Sequence, residues 1–298
     1  MEWDLPQLRA LVTTVDEGTL EAAARTLHIT PSAVSQRLKA LERNVGAVLL
    51  SRSRPVRVTE AGKPVLQLAR QLGELTSRTE RALGASGGTL LRLAVNADSL
   101  SAWVLEALTP LAATTPIEFV RADQDDTAEL LRDGSVMGAI TSQARPVQGC
   151  RSTRLGTQRY HAVAQTDFVA RHFTDGVNRA SLSAAPVVVF DEHDHLQDTF
   201  LRRHRIDPAT PPHHVVPATA EFGEAVQLGY GWGMLMSSQF GTGERRVRAI
   251  SGEPPERAPH VDVTLYWQQW ELRTPDLDEA ARLIRRAATD ALEGAQHS

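Results

Sequence analysis

The sequence predicts an α/β protein in three parts: a winged helix-turn-helix head over residues 1–60, a linking helix and hinge over 61–88, and a two-lobed body over 89–298. Three observations carry this. The stretch "LEAAARTLHITPSAVSQRLKALERNVGAVLLSRS" (20–53) sets two helical repeats on either side of a proline and ends in arginines. An apolar seam runs along 60–84, and from residue 90 onward apolar runs alternate with helical segments.

In the head, Leu5, Leu8, Leu11, Val12 and Val15 recur at helical spacing, which predicts a helix over 4–17. Leu20, Ala23, Ala24 and Leu27 give a second, short helix with Thr19 as its N-cap. Thr30 then caps a third helix with Pro31 at its first position, where the missing N–H costs nothing. The proline is therefore a start signal, and the break is a helix-turn-helix corner. Val34, Leu38, Leu41 and Val45 form the buried face of that third helix; Ser32, Gln36, Lys39 and Arg43 point the other way, with Ser35 beside them. Hydroxyls and an amide at the start of a helix, with cations further along, suit a major groove, where such side chains reach base edges and cations meet phosphates. Pro31, Ser32, Ser35 and Gln36 are the candidates closest to bases, and Arg37, Lys39, Arg52 and Arg54 the candidates for phosphate contacts. "AVLLSRSRPVRVTEAG" reads as strand, arginine-rich tip and strand, the pattern of a wing.

In the linking helix, Ala61, Val65, Leu68, Leu72, Leu75, Thr79 and Ala82 alternate steps of four and three, the seam of a coiled coil. The helix, roughly 36 Å long, is expected to pair with a second copy. "GASGG" (84–88) is expected to end it as a hinge. Strands are expected at 90–96, 117–120, 136–140, 160–164, 186–190, 214–218, 233–236 and 263–267, and helices near 99–113, 125–133, 195–204, 220–229 and 275–293, in mostly parallel sheets. In such sheets a ligand lies beyond the carboxyl ends of the strands. Asn96, Asp98, Ser99, Asp123, Thr141, Asp191, Asp194 and Glu221 gather at such ends or helix starts, and a helix start among acids suits a zwitterion carrying an extra positive charge.

Composition narrows the function classes. Residues 1–89 hold 12 basic against 9 acidic side chains, residues 90–298 hold 20 against 27, and the whole nets −4. Within 31–63, seven basic residues face only Glu42 and Glu60, a cationic patch that suits a polyanion. One cysteine excludes an internal disulfide framework, and the N-terminus lacks the pattern of a secretory leader, so a cytoplasmic, non-membrane protein is expected. Nucleophile-elbow, zinc-hydrolase and phosphate-loop motifs are missing, and "GYGWGM" (229–234) reads as a tight helix-to-strand turn, which argues against an enzyme. A metal sensor built on His193, Asp194 and His195, or on His213 and His214, and an architectural DNA-binding protein are the other rivals.

"EGTLEAAARTLHITPSAVSQRLKALERNVGAVLLSRSRPVRVTEAG" resembles the DNA-binding head of the LysR-type transcriptional regulators, and the resemblance extends over essentially the whole chain. It implies an effector domain like periplasmic binding proteins, with lobe I over about 89–160 and 266–298 and lobe II over about 161–265. It also implies promoter DNA as partner, with RNA polymerase a further one, a homodimer or homotetramer, an effector between the lobes and no cofactor. "LRLAVNADSLSAW" and "APVVVFDEHDHLQDTFL" are similar to the lysine- and arginine-responsive branch, which controls export of basic amino acids. By that resemblance Ser99, Asp123 and the 191–194 loop line the effector site; in the branch a second acid follows the aspartate, whereas here Gln124 does. Another metabolic effector, or a metal, is the alternative trigger.

Overall fold

The computed structural model describes residues 2–51, 53–83, 90–122, 124–192, 194–243 and 246–293. The expected hinge at 84–88, and Arg52, Asp123 and His193, lie outside them.

Helix α1 (Leu5–Glu17) starts at Asp4, whose carboxylate accepts from Gln7 N, and stops at Gly18 (φ 71°). Helix α2 (Leu20–Thr26) is capped by Thr19, and α3 (Pro31–Val45) by Thr30, whose hydroxyl accepts from Ala33 N at 3.2 Å. Each cap satisfies an N–H that the helix itself leaves unpaired. The corner between α2 and α3 puts His28 at φ 55°, held by His28 N to Arg25 O and Ile29 N to Ala24 O. Leu8, Leu11, Ala23, Val34, Leu41 and Leu49 close the head's core. The wing is shorter than its sequence suggests: Leu50 and Val58 make a single bridge, supported by Ser51 N to Arg57 O and Thr59 N to Leu49 O. A tip of small and charged residues with Pro55, which lacks an N–H, offers little to extend the ladder.

Helix α4 (Gly62–Ala82) does not present one continuous free seam. Val65, Leu66 and Ala69 bury themselves in the head's own core, Leu72 packs at its margin, and Leu75 stays 38% exposed. The first half of the helix is thus spent within the chain. The heptad pattern could not distinguish a partner helix from the chain's own α1, because both accept the same apolar stripe.

The body runs β1 (Leu91–Val95), α5 (Ala97–Ser99), a π-helical turn (Leu100–Val104), α6 (Leu105–Ala112), β2 (Ile117–Arg121), α7 (Gln124–Arg132), β3 (Gly138–Thr141) and β4 (Cys150–Gln165). It continues α8 (Thr166–His172), α9 (Arg179–Ala184), β5 (Val187–Val189), α10 (Leu196–Arg203), β6 (His213–Val215), α11 (Thr219–Gln227), β7 (Gly233–Leu235), β8 (Val247–Ala249), β9 (His260–Trp270) and α12 (Pro275–Ala291). One sheet has the order β2-β1-β3-β9-β4-β7 with β8 also on β4, and β5 pairs with β6.

The expectation of mostly parallel sheets is corrected here. β1 is parallel to β2 and β3, and β5 to β6, but the long ladder between β4 and β9 is antiparallel, as are β3–β9, β4–β7 and β4–β8. The ladder runs from Cys150 opposite Trp270 to His161 opposite His260, with an irregularity between Arg154 and Gly156. Two strands therefore traverse both lobes, and a core lies around each end. Leu91, Leu93, Leu131, Trp267 and Ile284 fill one; Tyr160, Phe168, Val187, Leu201 and Trp232 fill the other. The glycine turn behaves as expected: Gly229 takes φ 83° after α11, and a side chain on Gly231 would meet Pro186 O at 2.7 Å.

Candidate DNA-reading face and interlobe cleft

The third helix of the head separates its two faces cleanly. Val34 and Leu41 are fully buried and Leu38 nearly so, while Pro31, Ser32, Gln36 and Lys39 are exposed and Ser35 and Arg37 half-buried. Arg54 is exposed at the wing tip; Arg52 lies outside the described residues. A helix with one face buried and its polar stripe in solvent has the form that a major groove accepts. Lys63 leaves the cationic patch that the sequence assigned it to: it bonds Glu60 at 2.6 Å and Glu129 at 2.8 Å, and its side chain is 10% exposed. The bonds to Glu129 and Glu60 hold its ammonium above the ordinary lysine value.

The candidate effector site lies where β4, paired along its length with β9, passes between the lobes. At the end of β1, Asn96 and Ser99 bury Oδ1 and Oγ, and neither atom has a partner among the described residues. Ser99 is 1% exposed, so this hydroxyl has lost its water without gaining a bond; such a group normally finds a partner. Asp98 accepts a hydrogen bond at 2.8 Å from the hydroxyl of Tyr160, which stands on β4. Burial, the nearby Asp98 and then Asp194 hold that phenol well above its ordinary pKa, so Tyr160 is a donor at any physiological pH.

On the other lobe, Asp194 accepts from Phe190 N and Leu196 N, each at 3.1 Å, and so fixes the loop between β5 and α10. Burial pushes its pKa up, against the pull of those two N–H groups. Gln197, 1% exposed, donates to Val188 O at 3.0 Å, and its Oε1 has no partner among the described residues. At the rim, the guanidinium of Arg121, last residue of β2, lies 5.4 Å from the centre of the Phe190 ring, a cation–π contact from lobe to lobe.

The structure thus gathers Asn96, Asp98 and Ser99 on one side and Asp194 on the other, with Asp191 half-buried beside it. Thr141 is buried at the end of β3 and accepts from Gln143 N at 3.2 Å. Glu221 sits exposed in the first turn of α11, and no described contact ties it to Asp98, Tyr160 or Asp194. Tyr160, Gln197 and Arg121 were missed. "YHAVA" reads as a core strand, and only the polar tip of its tyrosine signalled otherwise. Gln197 lies on a helix, where an amide reads as surface; Arg121 ends a strand, where a cation reads as solvent-facing.

Among the described residues no group of three or more His, Cys, Asp and Glu side chains could hold a metal, and no helix is long and apolar enough to cross a membrane. Cys150 is buried, and burial pushes its thiol up to about 12.

Residues 5–63 match the model of the bacterial regulatory helix-turn-helix protein, lysR family, and residues 84–289 match the LysR substrate binding domain. The chain is 41% identical over 304 residues to the HTH-type transcriptional regulator LysG of Mycobacterium tuberculosis, covering 98% of this chain and 96% of the relative. It is 38% identical over 296 residues to the lysine export transcriptional regulatory protein LysG of Corynebacterium glutamicum, covering 97% and 98%. The solved full-length structure of the latter with the effector Arg bound superposes with a TM-score of 0.80 at 34% identity, covering 98% of this chain and all of that one.

Proposed function

Given that this chain belongs to the LysR family of DNA-binding transcriptional regulators, we propose that its effector is a basic amino acid, arginine or lysine, and that it controls amino-acid export genes. The observation that carries the effector reading is the pair of unpartnered buried atoms, Ser99 Oγ and Asn96 Oδ1, beside the Asp98–Tyr160 bond. A zwitterion offers an ammonium and a carboxylate to such groups at once, and a second cation suits the surrounding acids. The arginine bound to the C. glutamicum relative, and that relative's name as a lysine export regulator, support the same reading.

In this reading residues 1–60 are the DNA-binding domain, 61–88 the linker, and 89–298 the effector domain. Pro31, Ser32, Ser35 and Gln36 meet bases, and Arg37, Lys39, Arg52 and Arg54 meet phosphates. Asn96, Asp98, Ser99, Asp123, Thr141, Asp191 and Asp194 surround the effector, with Glu221 at the margin. Tyr160 keeps Asp98 in place. The exposed half of α4 beyond Leu72 pairs with a second copy, and dimers or tetramers act in the cytoplasm on sites with half-sites ~34 Å apart or a multiple of it, where RNA polymerase is recruited.

The test is to select duplexes from a random pool with the full chain, then measure binding to them with arginine, lysine or norleucine present. The two basic amino acids should shift the affinity and norleucine should not; equal responses to all three overturn the effector assignment.

A further inference from the structure

Helix α7 has one end by the cleft and the other against α4. It begins at Gln124, shortly after the strand end that carries Arg121. On α4, Lys63, Gln67 and Arg70 fall at i, i+4 and i+7, a single stripe. All three reach α7 or the turn after it. Lys63 bonds Glu129 at 2.8 Å, Gln67 Nε2 donates to Leu131 O at 3.4 Å, and Arg70 Nη1 donates to Asp133 O at 3.0 Å and Ser135 Oγ at 2.8 Å. Through Nη2, Arg70 also pairs with Asp16 on α1, the head's first helix.

The contact is close as well as polar. Gly134, at φ 77°, brings the turn so near that an added side chain would meet Gln67 Cα at 3.2 Å. The Arg70 and Lys63 side chains are each 10% exposed. Buried cations of this kind are costly once a partner is withdrawn, so the contact is either made or broken rather than stretched.

We propose that α7 is a strut carrying movement at the lobe boundary, where Arg121 meets Phe190, to the DNA-binding head, with Arg70 as the clasp that joins α1, α4 and lobe I. The inference rests on the effector reading only for what moves the strut. Arginine bound at the cleft changes the position of α7's first turn; the stripe of Lys63, Gln67 and Arg70 then tilts α4, and the Arg70–Asp16 pair takes α1 with it. Arg70 is a positioning residue: it touches neither DNA nor effector. Linkage requires the coupling to be reciprocal, so bound DNA should change arginine affinity by the same factor.

The experiment uses full-length wild type, Arg70→Met, Arg70→Lys and Asp133→Asn. Affinity for a selected duplex is measured with and without saturating arginine, and arginine affinity is measured without DNA. Arg70→Met and Asp133→Asn should cut the arginine-induced fold-change in DNA affinity by about threefold or more, with arginine affinity of the free protein held within about twofold and partial rescue in Arg70→Lys. An unchanged fold-change in both variants overturns the strut. Should wild type not bind arginine, the effector reading falls, and amide exchange decides the strut separately. Exchange in α7 and in the last turn of α1 should then accelerate together, by about tenfold or more, in Arg70→Met; acceleration confined to one of them overturns it.

Discussion

Helix α3 of the head and the candidate site between the lobes present polar groups in opposite ways. The helix holds Ser32, Gln36 and Lys39 in open solvent, displayed by the burial of Val34, Leu38 and Leu41 on its other side. The interlobe site buries Ser99, Tyr160, Gln197 and the Oδ1 of Asn96 and half-buries Asp98, delivered by elements far apart in the chain. An exposed polar stripe costs nothing until it meets DNA; a buried hydroxyl without a partner carries a desolvation cost that a ligand relieves. The first kind of site follows from periodicity, the second from topology.

The largest expected effect lies in the head's core. Leu41→Ala removes a fully buried side chain from the layer that displays the recognition stripe, and should cost about 2–5 kcal/mol. Denaturant unfolding followed by far-UV circular dichroism should show an early transition for the head, with arginine binding retained by the body. Loss of both together would mean that head and body do not fold as separate units.

Between the lobes, Tyr160→Phe deletes a part-buried hydrogen bond to a carboxylate, worth about 1.5–3 kcal/mol. Arginine affinity by calorimetry should fall while DNA affinity in the absence of arginine holds. In the groove, Gln36→Ala should relax preference at one base pair by ~1–3 kcal/mol without altering stability. Arg54→Ala should weaken all duplexes alike and reduce the salt slope by ~0.9. A change in base preference from Arg54→Ala, or none from Gln36→Ala, would reverse the roles of helix and wing.

The smallest expected effect is on pH. Burial, then the neighbouring His260 and Arg159, lower the pKa of His161 below 6.5. The unfolded chain then binds a proton that the folded one refuses, so this contribution is whole above pH 6.5 and is lost as pH falls toward the depressed folded value. Thermal unfolding of the body should report a decline on acidification below 6.5 that His161→Gln lessens. Lys63 and Glu129 act outside that window. Glu129, held low chiefly by its bond to Lys63, keeps its stabilisation above the unfolded value of 4.5 and loses it as pH falls through the depressed one; Lys63, held high, loses its own only as pH rises beyond 10.5. The strut contact should therefore be flat between those limits.

Legibility followed the same division. Thr19, Thr30 and Pro31 named the helix starts because capping is local chemistry, and the faces of α3 followed from spacing alone. The β4–β9 ladder was hidden because the 150–165 run mixes Arg151, Arg154 and Arg159 among apolar residues and shows no clean alternation. Helix α8 has only seven residues, too few for two apolar repeats, and β8 only three. In the cleft, Asn96, Asp98 and Ser99 were found because they end a strand and open a helix, while Tyr160 was not, because nothing in its neighbourhood of sequence points across to Asp98. The pairing of Lys63, one of the seven cations of 31–63, is hidden for the mirror reason: Glu129, which it bonds, lies 66 positions away in the chain.

Calorimetric titration of the full-length protein with arginine, lysine and norleucine decides whether the site between the lobes takes a basic amino acid. A saturable heat for arginine or lysine, absent for norleucine and strongly reduced in Ser99→Ala, is the result predicted here. Equal heats for all three, or binding of arginine that Ser99→Ala and Tyr160→Phe leave untouched, would contradict it.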